Sequence, residues 1–170
     1  MSNHLSILGI IHTAISIFAL LAAFYALFVD GRIDPKSQAG KIYIILTVIT
    51  CLTSFPIMKT GHPTPGHAIA VMVLLLLLVA NYTAGLFKSA FAYVQTAAMS
   101  ATLFLSMIPA VNETLTRLPA SHPFAASPDA PLVKMGVMVV FLLFVVGVIY
   151  QIIKIRSYRK MFPYHQELSM

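Results

Sequence analysis

Long apolar stretches separated by short polar breaks organise this chain, at residues 5–29, 42–58, 67–87, 91–111 and 132–153. A helix needs about 20 apolar residues to cross a bilayer, and each stretch is near that length. No segment alternates apolar and polar positions as a half-buried strand would, and a closed barrel would need more and shorter segments. The pattern predicts an all-α integral membrane protein, a bundle of five transmembrane helices in one domain. No Lys or Arg precedes the first stretch, and it is too long for the apolar part of a signal peptide, so it reads as a retained helix.

The breaks carry their own chemistry. As one helix, residues 67–111 would measure about 67 Å, more than twice the hydrocarbon thickness, so the chain must turn. Gly85 and Lys88-Ser89-Ala90 mark the place, giving a tight helical hairpin. Residues 30–40, with Gly31, Pro35 and several charges, read as a water-exposed loop. Residues 60–66 hold two prolines and two glycines, which exclude helix. Residues 112–131 form a Pro-rich loop. It starts as a helical extension with Glu113 and Arg117 four apart, breaks at Pro119, and is kept extended by Pro123, Pro128 and Pro131. Residues 154–170 form a basic tail.

Composition fits this picture: of 170 residues, 59% are hydrophobic and 9% charged, with mean hydropathy +0.88. A soluble domain carries about 25% charged residues, so this chain cannot clothe a water-facing surface. Tryptophan is absent, which leaves Tyr25, Tyr43, Tyr93 and Tyr150 as the expected interfacial aromatics. The single cysteine, Cys51, excludes an intrachain disulfide and a Cys-x-x-Cys site, and reads as a small packing residue. The net charge of +6 does not indicate nucleic acid, because the basic residues lie at segment ends rather than in a stripe with aromatics. Anionic lipid headgroups are the expected partners of the basic tail.

Eight of the eleven Lys and Arg residues (Arg32, Lys36, Lys41, Lys88, Lys154, Arg156, Arg159 and Lys160) fall on the side opposite the amino terminus. Positive residues concentrate in the cytoplasm, which predicts an external N-terminus and a cytoplasmic C-terminus. The loop at residues 112–131 is then external. The same sorting puts His4, His12, His62, His67 and His122 on the external side, together with Glu113 and Asp129.

His12 lies seven residues into the first apolar stretch, a depth at which an ionisable group is costly and usually faces the bundle interior. Gly9, His12, Ser16, Ala19, Ala23 and Ala26 make one small or polar stripe, so His12 should point inward. One reading is a neutral imidazole bonded to a hydroxyl such as Ser54 or Ser106. The sharper reading pairs His12 with His67, which opens the third helix after the rigid turn Gly61-His62-Pro63-Thr64-Pro65-Gly66. Two imidazoles from different helices can hold a b-type haem. Alternatively, His62, His122 and Glu113 complete the shell of another transition metal. Asn81 and Gln95 each lie seven residues from Lys88 and read as structural glue, an interhelical amide bond across the hairpin. The nine methionines are scattered and fill gaps rather than bind copper. Asn112-Glu113-Thr114 fits a glycosylation sequon, which matters only in a secretory pathway. No phosphate loop, nucleophile elbow or paired catalytic carboxylate occurs, and no catalytic residue is assigned.

Gly40-Lys41-Ile42-Tyr43, entered through the basic turn Lys36-Ser37-Gln38-Ala39, resembles a signature of small bacterial predicted membrane proteins, the family called domain of unknown function 2306. A Gly/Pro/His turn follows one helix later, at residues 61–67, and the likeness covers residues 34–78. Lys36-Ser37 stand where many relatives have His-Arg. The resemblance implies a bacterial cytoplasmic membrane and no particular activity. Two functions then compete: an outer-face histidine site carrying electrons through haem or metal, and a non-catalytic accessory or assembly subunit packed against a membrane-protein partner or a second copy. A small permease is disfavoured, because no deep carboxylate or broken helix pair occurs.

Overall fold

A computed structural model describes residues 6–57, 64–83 and 90–161. Among these residues the chain forms α-helices and no strand: α1 (Ile7–Asp30), α2 (Gln38–Ser54), α3 (Pro65–Tyr82), α4 (Phe91–Arg117) and α5 (Pro131–Met161). α1, α3, α4 and α5 are long and apolar enough to cross a membrane; α2, at 17 residues, is apolar but shorter.

Local signals set the helix ends. The Ser6 side chain accepts from the Gly9 amide at 3.1 Å, and the Ser37 side chain accepts from the Gly40 amide at 3.1 Å, each taking up a donor that the first helical turn leaves unpaired. α1 stops at Gly31, whose φ of 72° suits a residue without Cβ and whose N–H returns to the Leu27 carbonyl. α3 starts with Pro65 in its first turn, where the missing N–H is not needed. α4 ends at Arg117 on an ion pair with Glu113 one turn earlier, just before Pro119.

α1 packs along α2, α3 along α4, and α4 along α5, with a lighter contact between α2 and α3 and a brief one between α1 and α4. The first four helices enclose the core, and α5 lies outside it against α4. Ala19, Ala23 and Ala26 of α1 are buried with Gly9, so the small-residue stripe does face inward. They meet Tyr43, Cys51, Val73, Leu77, Met99 and Leu103. The outward faces are apolar as well; Phe28 is 91% exposed and Leu143 66%. This is the inverse of a soluble bundle, and it is compatible with an integral membrane protein.

Several expectations meet differences here. The hairpin turn expected at Gly85 and Lys88-Ser89-Ala90 lies almost wholly outside the described residues, and α3 ends at Tyr82. The Pro-rich segment after α4 folds back instead of standing extended: Ala125 is buried and its N–H donates to the Leu115 carbonyl at 2.9 Å. The basic residues from Lys154 to Lys160 ride on the last turns of α5. Tyr43 is not at an interface. It is fully buried in the core, on the α2 face that also carries Gly40, Thr47 and Cys51.

Candidate functional site

The N-terminal part of α1, the C-terminal turn of α2, the start of α3 and the end of α4 come together, and the polar side chains expected to carry chemistry sort to this end. His12 Nδ1 lies 3.0 Å from Thr53 Oγ1 on α2. The Thr53 hydroxyl has only one proton, and it points to the Ile49 and Thr50 carbonyls at 2.9 and 3.0 Å. In the neutral ring Nδ1 is therefore the donor, and Nε2 carries the lone pair. Thr53 takes the part expected of Ser54 or Ser106; Ser54 instead donates to its own helix at the Cys51 carbonyl. Glu113 lies within electrostatic reach of His12 while paired with Arg117.

His67 is arranged differently. Its Nδ1 accepts from the Thr64 N–H at 2.9 Å and faces the Thr64 hydroxyl at the same distance. An accepting Nδ1 leaves the proton on Nε2, which lies 3.3 Å from the Phe55 carbonyl. Both ring nitrogens are thus engaged in the fold: one caps α3 in a capping box with Thr64, the other ties α3 to the end of α2. The ring is buried and sits beside Phe55, with centroids 6.0 Å apart.

The two imidazoles flank the same turn of α2, through Thr53 and Phe55. As a pair of axial ligands, however, they are unequal. His12 keeps a lone pair, whereas His67 would have to surrender its bond to Thr64. His62 lies outside the described residues. His122 is exposed on the segment after α4, where its N–H donates to the Pro119 carbonyl. No group of three or more His, Cys, Asp or Glu side chains is placed to hold a metal among the described residues.

The amides also part from expectation. Gln95 crosses the hairpin, but it donates to the Ala80 carbonyl at 2.8 Å, while Asn81 donates to Leu77 in its own helix at 2.7 Å. Of the two amides, Gln95 is the one that ties the helices, through backbone and not through Asn81.

Two interhelical bonds escaped the sequence. Tyr43 Oη lies 2.8 Å from Thr102 Oγ1, and both side chains are buried. Ser100 donates to Gln151 Oε1 at 2.8 Å and fixes α5 to α4. A Tyr or Thr inside an apolar run carries no mark of its partner on another helix. The Thr50 hydroxyl and the Asn112 side-chain oxygen are buried without a hydrogen-bond partner among the described residues. Comparison with protein-family models, curated proteins and solved structures finds no match to this chain, so geometry alone carries the functional argument.

Proposed function

We propose that this chain is a non-catalytic membrane subunit, a five-span bundle of the bacterial cytoplasmic membrane that packs against a larger membrane assembly. Its N-terminus is external and its basic C-terminal end cytoplasmic. α2 completes the fifth span; its 17 residues stand at the short end of the spanning range. The orientation follows from the bias of Lys and Arg toward one end of the bundle.

The observation that carries the accessory role is the use made of His67. Of the two histidines expected to form a redox site, it is the one whose nitrogens are both engaged in the fold, Nδ1 capping α3 and Nε2 tying α3 to the end of α2. Three other deep polar groups follow the same pattern, with Tyr43 bonded to Thr102, Gln95 to Ala80 and Gln151 to Ser100. Side chains engaged in this way hold helices in register.

The second reading, an electron-carrying haem or metal site, rests on the free Nε2 lone pair of His12 and the nearby Glu113 carboxylate. His62 and His122 are the further ligands such a site would need. Absorption spectra and metal content of the mildly purified protein decide between the two. The accessory reading expects neither a Soret band nor stoichiometric metal after expression in supplemented cells. A bound chromophore or metal lost in folded His12→Ala would overturn it.

A further inference from the structure

A slot of about 170 Å³ opens between α1, α4 and α5, walled by Phe24 and Leu27, Leu103 and Phe104, and Gly147 and Gln151. Its walls are apolar except at one end. There Gln151, held through its oxygen by Ser100, lines the slot, and its amide nitrogen makes no hydrogen bond among the described residues. One helical turn further out, Lys154 reaches across from α5 to the end of α1, where its Nζ lies 2.7 Å from the position a Cβ would take on Gly31. Lys154 makes no ion pair among the described residues. At Gly147 an added Cβ would meet nothing within 4 Å, so open space lies over this glycine.

We propose that this slot binds an anionic glycerophospholipid of the cytoplasmic leaflet, a proposal that rests on the membrane reading above. Charge and depth both favour this occupant. An acyl chain matches the apolar walls, an ester carbonyl matches the Gln151 donor, and a phosphodiester matches the Lys154 ammonium. The slot runs along α5 from Val140 to Gln151, about 16 Å of helix. One leaflet of hydrocarbon measures about 15 Å. A second transmembrane helix would fill the walls but would leave both polar groups at the mouth without a partner.

The test is native mass spectrometry of the full chain released from bilayers of equimolar phosphatidylglycerol and phosphatidylcholine. Wild type should retain the anionic lipid about fivefold over the zwitterionic one, the factor that one basic residue contributes at an anionic surface. Lys154→Gln should bring the ratio to about one, Lys154→Arg should keep it, and Lys160→Gln, at the same membrane face, should leave it unchanged. Gly147→Leu, which fills the slot, should lower retention of both lipids. Glycerol phosphate added in solution should not displace the bound lipid.

Equal retention of the two lipids by wild type would overturn the proposal. An equal effect of Lys160→Gln, retention indifferent to Gly147→Leu, or displacement by glycerol phosphate would do the same. A lipid-free dimer closed through this face would assign the slot to a second copy. Resistance of the same samples to alkaline extraction reports insertion separately, so failure of the membrane reading is distinguishable from failure of the slot.

Discussion

Tyr43 on α2 donates a hydrogen bond to Thr102 on α4, 2.8 Å away across the centre of the bundle, with neither side chain exposed. The direction is fixed because Thr102 sends its own proton to the Met99 carbonyl at 2.7 Å. Removing either partner therefore has unequal consequences. Thr102→Val removes the nearest acceptor of a buried phenol and leaves it the Thr47 and Ser106 hydroxyls, whereas Tyr43→Phe leaves a Thr102 hydroxyl that still donates to Met99. Unfolding in mixed micelles should show Tyr43→Phe costing about 1 kcal/mol and Thr102→Val more, up to about 3. The double-mutant cycle should give a coupling of roughly 0.6–2 kcal/mol. A Tyr43→Phe loss exceeding that of Thr102→Val would reverse the assigned direction.

Gly40 allows the preceding loop to close on α2. A Cβ there would lie 1.8 Å from the Asp34 carbonyl oxygen, a backbone atom that also accepts from the Ser37 amide and hydroxyl. Gly40→Ala should cost at least about 1–3 kcal/mol, whereas Gly147→Ala, with open space around it, should be far milder. Thermal unfolding in detergent compares the two directly. The Gly40-Lys41-Ile42-Tyr43 resemblance thus falls on residues with structural work: a close backbone approach at Gly40 and a core bond at Tyr43.

His67→Ala should destabilise the protein by about 1–2 kcal/mol through loss of the α3 cap and the link to Phe55. His67→Gln should recover part of that, since a glutamine at the third helical position can accept from the Thr64 N–H. Both measurements belong on unfolding curves, with absorption spectra taken alongside. A spectral change without a stability change would return His67 to the role of a ligand.

The glue across the α3–α4 hairpin sits on Gln95. Gln95→Leu should cost about 1 kcal/mol, and Asn81→Leu less, because only the first removes an interhelical bond. Equal losses, or strong coupling between the two substitutions, would reinstate an amide pair.

Topology is checked by cysteine labelling in a Cys51→Ala background. A cysteine at position 160 should react with an impermeant reagent only after permeabilisation, and one at position 122 should react from outside. The reverse pattern would invert the orientation, and with it the leaflet assigned to the lipid slot.

Much of the architecture was legible in the sequence because bilayer thickness constrains element length so tightly. The five apolar runs correspond to α1–α5, and the inward stripe of α1 could be read from small residues three and four apart. What the sequence could not convey was the pairing of side chains between helices. Tyr43 looked like an interfacial ring because aromatic type, rather than facing direction, was the only cue. His67 did carry a readable local signal. Thr64 stands three residues ahead of it with Pro65 between, the spacing of a capping box with imidazole in the place of a carboxylate. A local cap competes with a distant ligand role, and here the local bonds hold both nitrogens.

The outlying position of α5 bears on the order in which the protein is made. Every residue of the main buried cluster lies between Ala19 and Leu103. The ribosome has therefore delivered every residue of that cluster before Pro131 begins the last helix. A nascent chain halted after α4 already contains both partners of the bond from Tyr43 to Thr102. α5 then attaches to a finished surface through Ser100 and the Phe104–Phe141–Phe144 ring cluster. The packing thus divides into two parts, a four-helix interior and a fifth helix docked on its surface.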